Sequence, residues 1–188
     1  MGVCWDLGFG RWDFRRYTSL GIFRRRNMPV EKDQFRRILG GFATGVTVVT
    51  SVLDGKPGGM TVNLFTSVSL APPLVLFCAD TRTRTHDLVD RSGVYAVNLL
   101  SEAMRPLSDL FADSRKTDEE RFAAGKHAPG KATGAPIFEG GLGWLECRVV
   151  QRVPGGDHTI FVGEVVDMGP GDGPPLMFFR GKYGGMAT

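Results

Sequence analysis

What most restricts the fold of this chain is a succession of short β-branched runs, separated by turn residues and with little helix between them. ATGVTVVTSVL (43–53) is almost continuously β-branched or apolar, as a buried strand is. Asp54-Gly55 is a hairpin turn signal. GMTVNLFTSVSL (59–70) reads as the next strand, and Pro72-Pro73 interrupts it before PLVLFCAD (73–80). VYAVNLL (94–100), WLECRVVQR (144–152), HTIFVGEVVDM (158–168) and PLMFFRGKY (175–183) continue the series, with Gly155-Gly156-Asp157 as a further turn. The helical stretches are short. Phe35, Ile38, Leu39 and Phe42 recur at helical spacing within 31–42, with Gly40-Gly41 as the stop. Thr85 is a candidate N-cap for HDLVDR, closed by Gly93. Ser101 is a candidate cap for a helix to about Phe111, which either starts late or bends at Pro106. Thr117 and Glu120 form a capping box, and 125–136 reads as a surface loop. This pattern predicts a mainly β chain, a barrel with short peripheral helices; strand–helix alternation is too sparse for a doubly wound parallel sheet.

Composition narrows the function. A chain of 188 residues, 42% apolar and 23% charged, has the makeup of one ordinary domain. No apolar run reaches the roughly 18 residues of a membrane span. Cys4, Cys78 and Cys147 lie far apart with no CxxC, which predicts free thiols in a reducing cytoplasm and no structural metal. The net charge of +3 is unevenly spread: Arg11, Arg15, Arg16, Arg24, Arg25 and Arg26 face only Asp6 and Asp13 in the first 27 residues. The rest is nearly neutral and gives no basis for a nucleic-acid partner. Residues 1–27 read as an extension ahead of Met28, as a poorly packed tail or as a binding arm; 28–188 read as the functional domain.

Three stretches carry candidate chemistry. There is no HExxH, GxSxG, P-loop or strand-following GxGxxG, so a dinucleotide would not rest on a Rossmann unit. The 59–73 stretch places Thr61, Asn63, Thr66, Ser67 and Ser69 among strand residues, either as ligand contacts or as the solvent face of an edge strand. DTRTRT (80–85) precedes a short helix: Thr83, Arg84, Thr85 and the unpaired amides of the first turn together make a phosphate cradle, or else the turn is a plain Thr85 cap with solvated arginines. His158 begins a strand after a glycine turn and alone says little.

Read together, FRRILGGFATGVTVVT (35–50), GMTVNLFTSVSLAPPLVLFC (59–78), TRTRT (81–85), YAVNLL (95–100), WLECRV (144–149), GDHTIFVGEV (156–165) and FFRGKY (178–183) resemble the short-chain flavin reductases, the reductase components of two-component flavin-dependent monooxygenases. The resemblance implies an FMN-binding split β-barrel working as a homodimer. It would take FMN or FAD and NADH or NADPH, transfer hydride from nicotinamide C4 to flavin N5, and supply reduced flavin to a monooxygenase by diffusion. It implies flavin contacts from Thr61, Val62, Asn63, Thr66 and Ser67, from Cys78, Ala79 and Asp80, and from Phe111 and Tyr183. It puts the flavin phosphate at Thr83, Arg84 and Thr85, and His158 near the nicotinamide. The sequence departs from the family where Val62 and Leu64 replace smaller residues, and where Thr83 replaces a frequent serine. The rival readings are a relative of the pyridoxamine-phosphate oxidases, against which the GDH motif (156–158) speaks, a flavin-binding or redox-sensing protein without turnover, and a β-rich domain with no ligand.

Overall fold

Strand β2 (Thr47–Leu53) shows why its sequence is apolar without alternation, for both of its faces are covered. In the computed structural model, which describes residues 30–186, Val49 lies in one buried cluster and Val48 in a second on the opposite side of the sheet. The predicted 1–27 extension lies outside the described residues. Helix α1 (Lys32–Leu39) has the predicted spacing but no buried residue: Phe35, Ile38, Leu39 and the following Phe42 are 52%, 64%, 54% and 75% exposed. The described residues from Arg37 onward form one compact unit.

Within it β1 (Thr44–Gly45) precedes β2, and β3 (Lys56–Val62), β4 (Phe65–Leu70), β5 (Pro73–Asp80) and α2 (Arg84–Ser92) follow. Next come β6 (Val94–Leu99), α3 (Arg105–Ala112), α4 (Asp118–Ala123), β7 (His127–Pro129) and β8 (Pro136–Phe138). The long hairpin of β9 (Gly143–Gly155) and β10 (His158–Pro170), then β11 (Met177–Phe179) and β12 (Lys182–Gly184), complete the chain. An antiparallel seven-stranded sheet runs β3-β2-β6-β9-β10-β5-β4. Its two edge strands are consecutive in sequence, joined only by Asn63-Leu64. The ends of the sheet therefore meet without pairing, which makes it a split barrel, mainly β with short peripheral helices.

The run read as one strand over 59–70 is two, because the chain turns this corner at Asn63. The β2–β3 turn has both central residues at positive φ, Asp54 at 52° and Gly55 at 73°, as a type I′ hairpin requires. Helix α2 starts earlier than expected. Thr83 is its N-cap, extended at φ −85° and ψ 145° with its hydroxyl accepting from the His86 amide at 3.2 Å, so Thr85 lies inside the helix and is buried. Gly93 closes the helix in the left-handed region, its amide bonded to the Val89 carbonyl. Ser101 caps nothing with its side chain; its hydroxyl donates to Gly140 O, a 3-10 turn follows, and α3 starts late with Pro106 in its first turn. The capping box of Thr117 and Glu120 is present. The 125–136 stretch is not all loop, since β7 and β8 pair across it.

Inside the barrel Phe77 stacks on Phe161 at 5.3 Å and meets Tyr95 edge-on at 4.9 Å. Under α3 and α4, Phe111 packs edge-on against Phe122 and Phe138 at 5.2 and 5.5 Å. Burial pushes the Cys147 thiol up to about 12 and raises the Tyr95 phenol. In the unfolded chain Cys147 ionises from about pH 9, so the neutral-thiol contribution is complete below that pH and is lost as pH rises towards 12. Denaturant midpoints should therefore fall steadily above about pH 9. A midpoint flat to pH 11 or beyond would contradict this.

Candidate functional site

The corner at Asn63, the start of α2, the end of α3 and the β11–β12 hairpin surround a cavity of about 580 Å³. Thr61 and Asn63 line it from the corner; Thr83, Arg84 and Thr85 line it from α2; Phe111 and Tyr183 close the opposite wall. These segments are fastened to one another. Thr61 Oγ1 donates to Ser108 O at 2.6 Å, and Ser108 Oγ shares a hydrogen bond with the Tyr183 hydroxyl at 2.8 Å. Tyr183 is further held by the Arg105 guanidinium, 5.4 Å from its ring centroid, and by Phe178 at 5.5 Å.

The α2 end of the cavity is lined by Thr83, Arg84 and Thr85. The amides of Arg84 and Thr85, first in the helix, have no carbonyl one turn back to bond to, and the helix dipole places partial positive charge there. The Thr83 hydroxyl is already used locally, donating to Asp80 O at 2.8 Å while it caps His86 N. Arg84 reaches across to the loop after α3, donating to Lys116 O at 3.0 Å and pairing with Asp118 Oδ2 at 3.8 Å. Its side chain is 62% exposed, so these contacts orient the guanidinium at the cavity wall while leaving it open to solvent.

Other residues singled out in the sequence lie elsewhere. Val62 and Ala79 are buried in the barrel core, so the size of Val62 acts on packing and its side chain does not reach the cavity. Thr66 and Ser67 are exposed on the edge strand β4. Cys78 and Asp80, on β5, do not line the cavity; the Cys78 amide donates to Leu64 O at 3.0 Å, and partial burial raises its thiol. Asp80 faces His158 across the β5–β10 ladder. Arg82 grips the Asp80 carboxylate with Nε at 3.0 Å and Nη2 at 2.6 Å, and these bonds hold the carboxyl well below its ordinary range. His158 does not line the cavity either, although Arg82 does. Its Nδ1 meets Asp157 Oδ1 at 2.8 Å, and the same bond lowers the Asp157 carboxyl. With Nδ1–H donated to that carboxylate, a neutral ring keeps Nε2 as a free acceptor.

Two features of the site were not legible beforehand. Arg82, inside the TRTRT motif, lines the cavity next to Asp80. Arg121 lines it from α4, with its side chain only 7% exposed. Arg121 donates to Gly59 O at 3.2 Å, Asp118 Oδ1 at 3.1 Å and Asp113 O at 2.7 Å, and lies 6.0 Å from the Phe111 ring centroid. The neighbouring Gly59 has no room for a side chain: a Cβ there would stand 2.8 Å from Val49 O and 2.9 Å from Phe111. Sequence spacing carries no sign of an arginine whose partners are backbone carbonyls as far as 62 residues away.

The fold is thus a split barrel, and its cavity joins a helix start with aromatic side chains from α3 and the β11–β12 hairpin. The profile of the flavin reductase like domain matches residues 39–187. The reductase component of a 4-nitrophenol 4-monooxygenase/4-nitrocatechol 2-monooxygenase from Rhodococcus opacus is 38% identical over 156 residues, 83% of this chain and 82% of that protein. Among solved structures, the Streptomyces globisporus NADH:FAD oxidoreductase in complex with NAD and FAD fragments superposes with a TM-score of 0.79. It is 37% identical, over 84% of this chain and 93% of that one. The flavin reductase component of a bacterial two-component tryptophan halogenase gives 0.79 at 35% identity, over 84% and 99%. This chain belongs to the flavin reductase family, as its separated motifs anticipated.

Proposed function

We propose that this chain reduces FMN or FAD with NADH or NADPH and releases the reduced flavin to a partner monooxygenase. The observation that carries the reading is the single cavity that joins the Asn63 corner, the α2 anion cradle and the Phe111–Tyr183 wall. The relatives named above, one of them solved with NAD and FAD fragments, support it. When both are bound, the nicotinamide supplies hydride from C4 to flavin N5, and the protein's task is positioning. Thr83, Arg84 and Thr85 hold the flavin phosphate. Thr61, Val62 and Asn63 present the corner backbone to the ring, while Phe111 and Tyr183 flank it. Cys78, Ala79 and Asp80 shape the adjoining strand end. His158, with Nε2 free, orients the nicotinamide from the rim that it shares with Asp80 and Arg82.

The working form is a homodimer in this reading. Edge strand β4 and the corner before it leave Leu64, Val68 and Leu70 exposed, at 50%, 48% and 95%, an apolar row suited to a second copy. Thr66 and Ser67 lie on the same strand, so pairing there brings them to the flavin-binding surface. No helix among the described residues is long and apolar enough to cross a membrane, and the free thiols Cys78 and Cys147 fit a cytoplasmic setting. The test is direct: mix protein, free FMN and NADH, and follow the reduced nicotinamide absorbance. Catalytic loss of that band, with a sedimenting mass twice the 20.5 kDa of one chain, is the expected result. Flavin binding without turnover would contradict the enzymatic reading.

A further inference from the structure

The side chain of His86, third residue of α2, reaches β10 and does not line the cavity. Its Nε2 shares a 2.9 Å hydrogen bond with Thr159 Oγ1, one residue after His158. Its Nδ1 is buried with no partner among the described residues, so the Thr159 bond is the one polar bond of the ring. The ring also lies 5.3 Å from that of Phe161, a residue of the barrel core. On the other side of His158, the Thr81 amide and hydroxyl donate to Asp157 O at 3.1 and 3.3 Å. We infer that His86 is a positioning residue: through Thr159 it fixes the start of β10, and His158 with it, relative to the helix start that carries Thr83, Arg84 and Thr85. The inference rests on the proposed role of His158 toward the nicotinamide and deepens it.

Hydride transfer needs both cofactors at near-contact distance. The residue that orients one must therefore be held in a fixed place relative to the residues that hold the other. His158 opens β10 at the last rung of both its ladders, opposite Asp80 on β5 and Gly155 on β9. A strand end at that place frays unless something else holds it. Asp157, His158 and Thr159 are bracketed by two links to the segment 81–86, and the links are unequal. The Thr81 hydroxyl link is exposed, where water competes for it, whereas the link from His86 to Thr159 is half-buried. Side chains alternate along a strand, so Thr159 shares a face with Phe161 and His158 takes the other. His86 thus acts on His158 through the strand.

The test compares the parent with His86→Leu, His86→Gln and Thr159→Val, each alone and in a His158→Ala background. Gln keeps an N–H donor where Leu has none. The chain has three histidines, so the His158 imidazole can be followed by NMR in the protein without cofactors, with His127 as internal control. His86→Leu and Thr159→Val should shift or broaden the His158 signal, and His86→Gln should restore it. In the first two variants kcat/KM for NADH should fall about threefold to tenfold, with the flavin dissociation constant within about twofold of the parent. The loss should be no larger in the double variant of His86→Leu with Thr159→Val, and should vanish in the His158→Ala background. Thr159→Val exchanges a hydroxyl for a methyl, so it gives the answer even where His86→Leu fails to fold. An unchanged His158 signal, a kinetic loss that persists in full without His158, or a loss confined to flavin affinity would overturn the inference alone. Parent-like kinetics for His158→Ala would sink the proposed role of His158, and this inference with it.

Discussion

Replacing Arg121 with alanine should cost about 3 kcal/mol of stability and open the wall of the cavity, although Arg121 belongs to no motif. Removing one partner of a buried ionic network typically costs 3–5 kcal/mol, because the groups left behind lose their donor. Here those groups are Gly59 O, Asp113 O and the Asp118 carboxylate, and the last is partly exposed, which places the expected loss at the lower end. For a domain of this size the melting temperature should fall by about 6–12 °C. The same change frees the loop that holds Arg84 through Lys116 and Asp118, so flavin affinity should fall with it. Arg121→Lys restores the charge but not the planar fork that reaches several acceptors at once, and should recover only part of the loss. A melting temperature within a degree or two of the parent for Arg121→Ala would remove the residue from the scaffold of the site.

His158→Ala should lower kcat/KM for NADH by about tenfold to a hundredfold while leaving the flavin dissociation constant within about twofold. Hydride transfer depends on near-contact stacking, and a misplacement of about 1 Å can cost a hundredfold. His158 lies outside the cavity lining, paired across the ladder with Asp80 and with its Nδ1 tied to Asp157. In the proposed reading its loss leaves the α2 cradle untouched and removes only the acceptor that aligns the second cofactor. Equal steady-state kinetics for variant and parent would show that it has no such role, and a matching loss of flavin affinity would show that it acts through the fold instead.

The sequence disclosed the strands because β2, β6 and β10 bury their apolar residues in ways that β-branched runs declare. It disclosed a helix start at the threonine-rich turn because threonine hydroxyls cap first-turn amides. It misread the helix start by two residues, since Thr83 and Thr85 are equivalent as text and only the extended backbone at Thr83 separates them. It merged β3 with β4 because nothing in the residues around Asn63 marks a barrel corner. The resemblance put Thr66, Ser67, Cys78 and His158 at the cofactors, but in this chain none lines the cavity, because their places follow from sheet order, which residue types do not declare. Arg121 was unreadable for the same reason: its three acceptors come together only when α4 closes over β3.

The proposed site requires the flavin phosphate to be held at the start of α2. Titrating FMN and riboflavin against the parent and Arg84→Ala tests this most directly, because the two flavins differ only in that phosphate. The parent should bind FMN at least about tenfold more tightly than riboflavin, and Arg84→Ala should narrow the gap by weakening FMN alone. Equal affinity of the parent for the two flavins would contradict it.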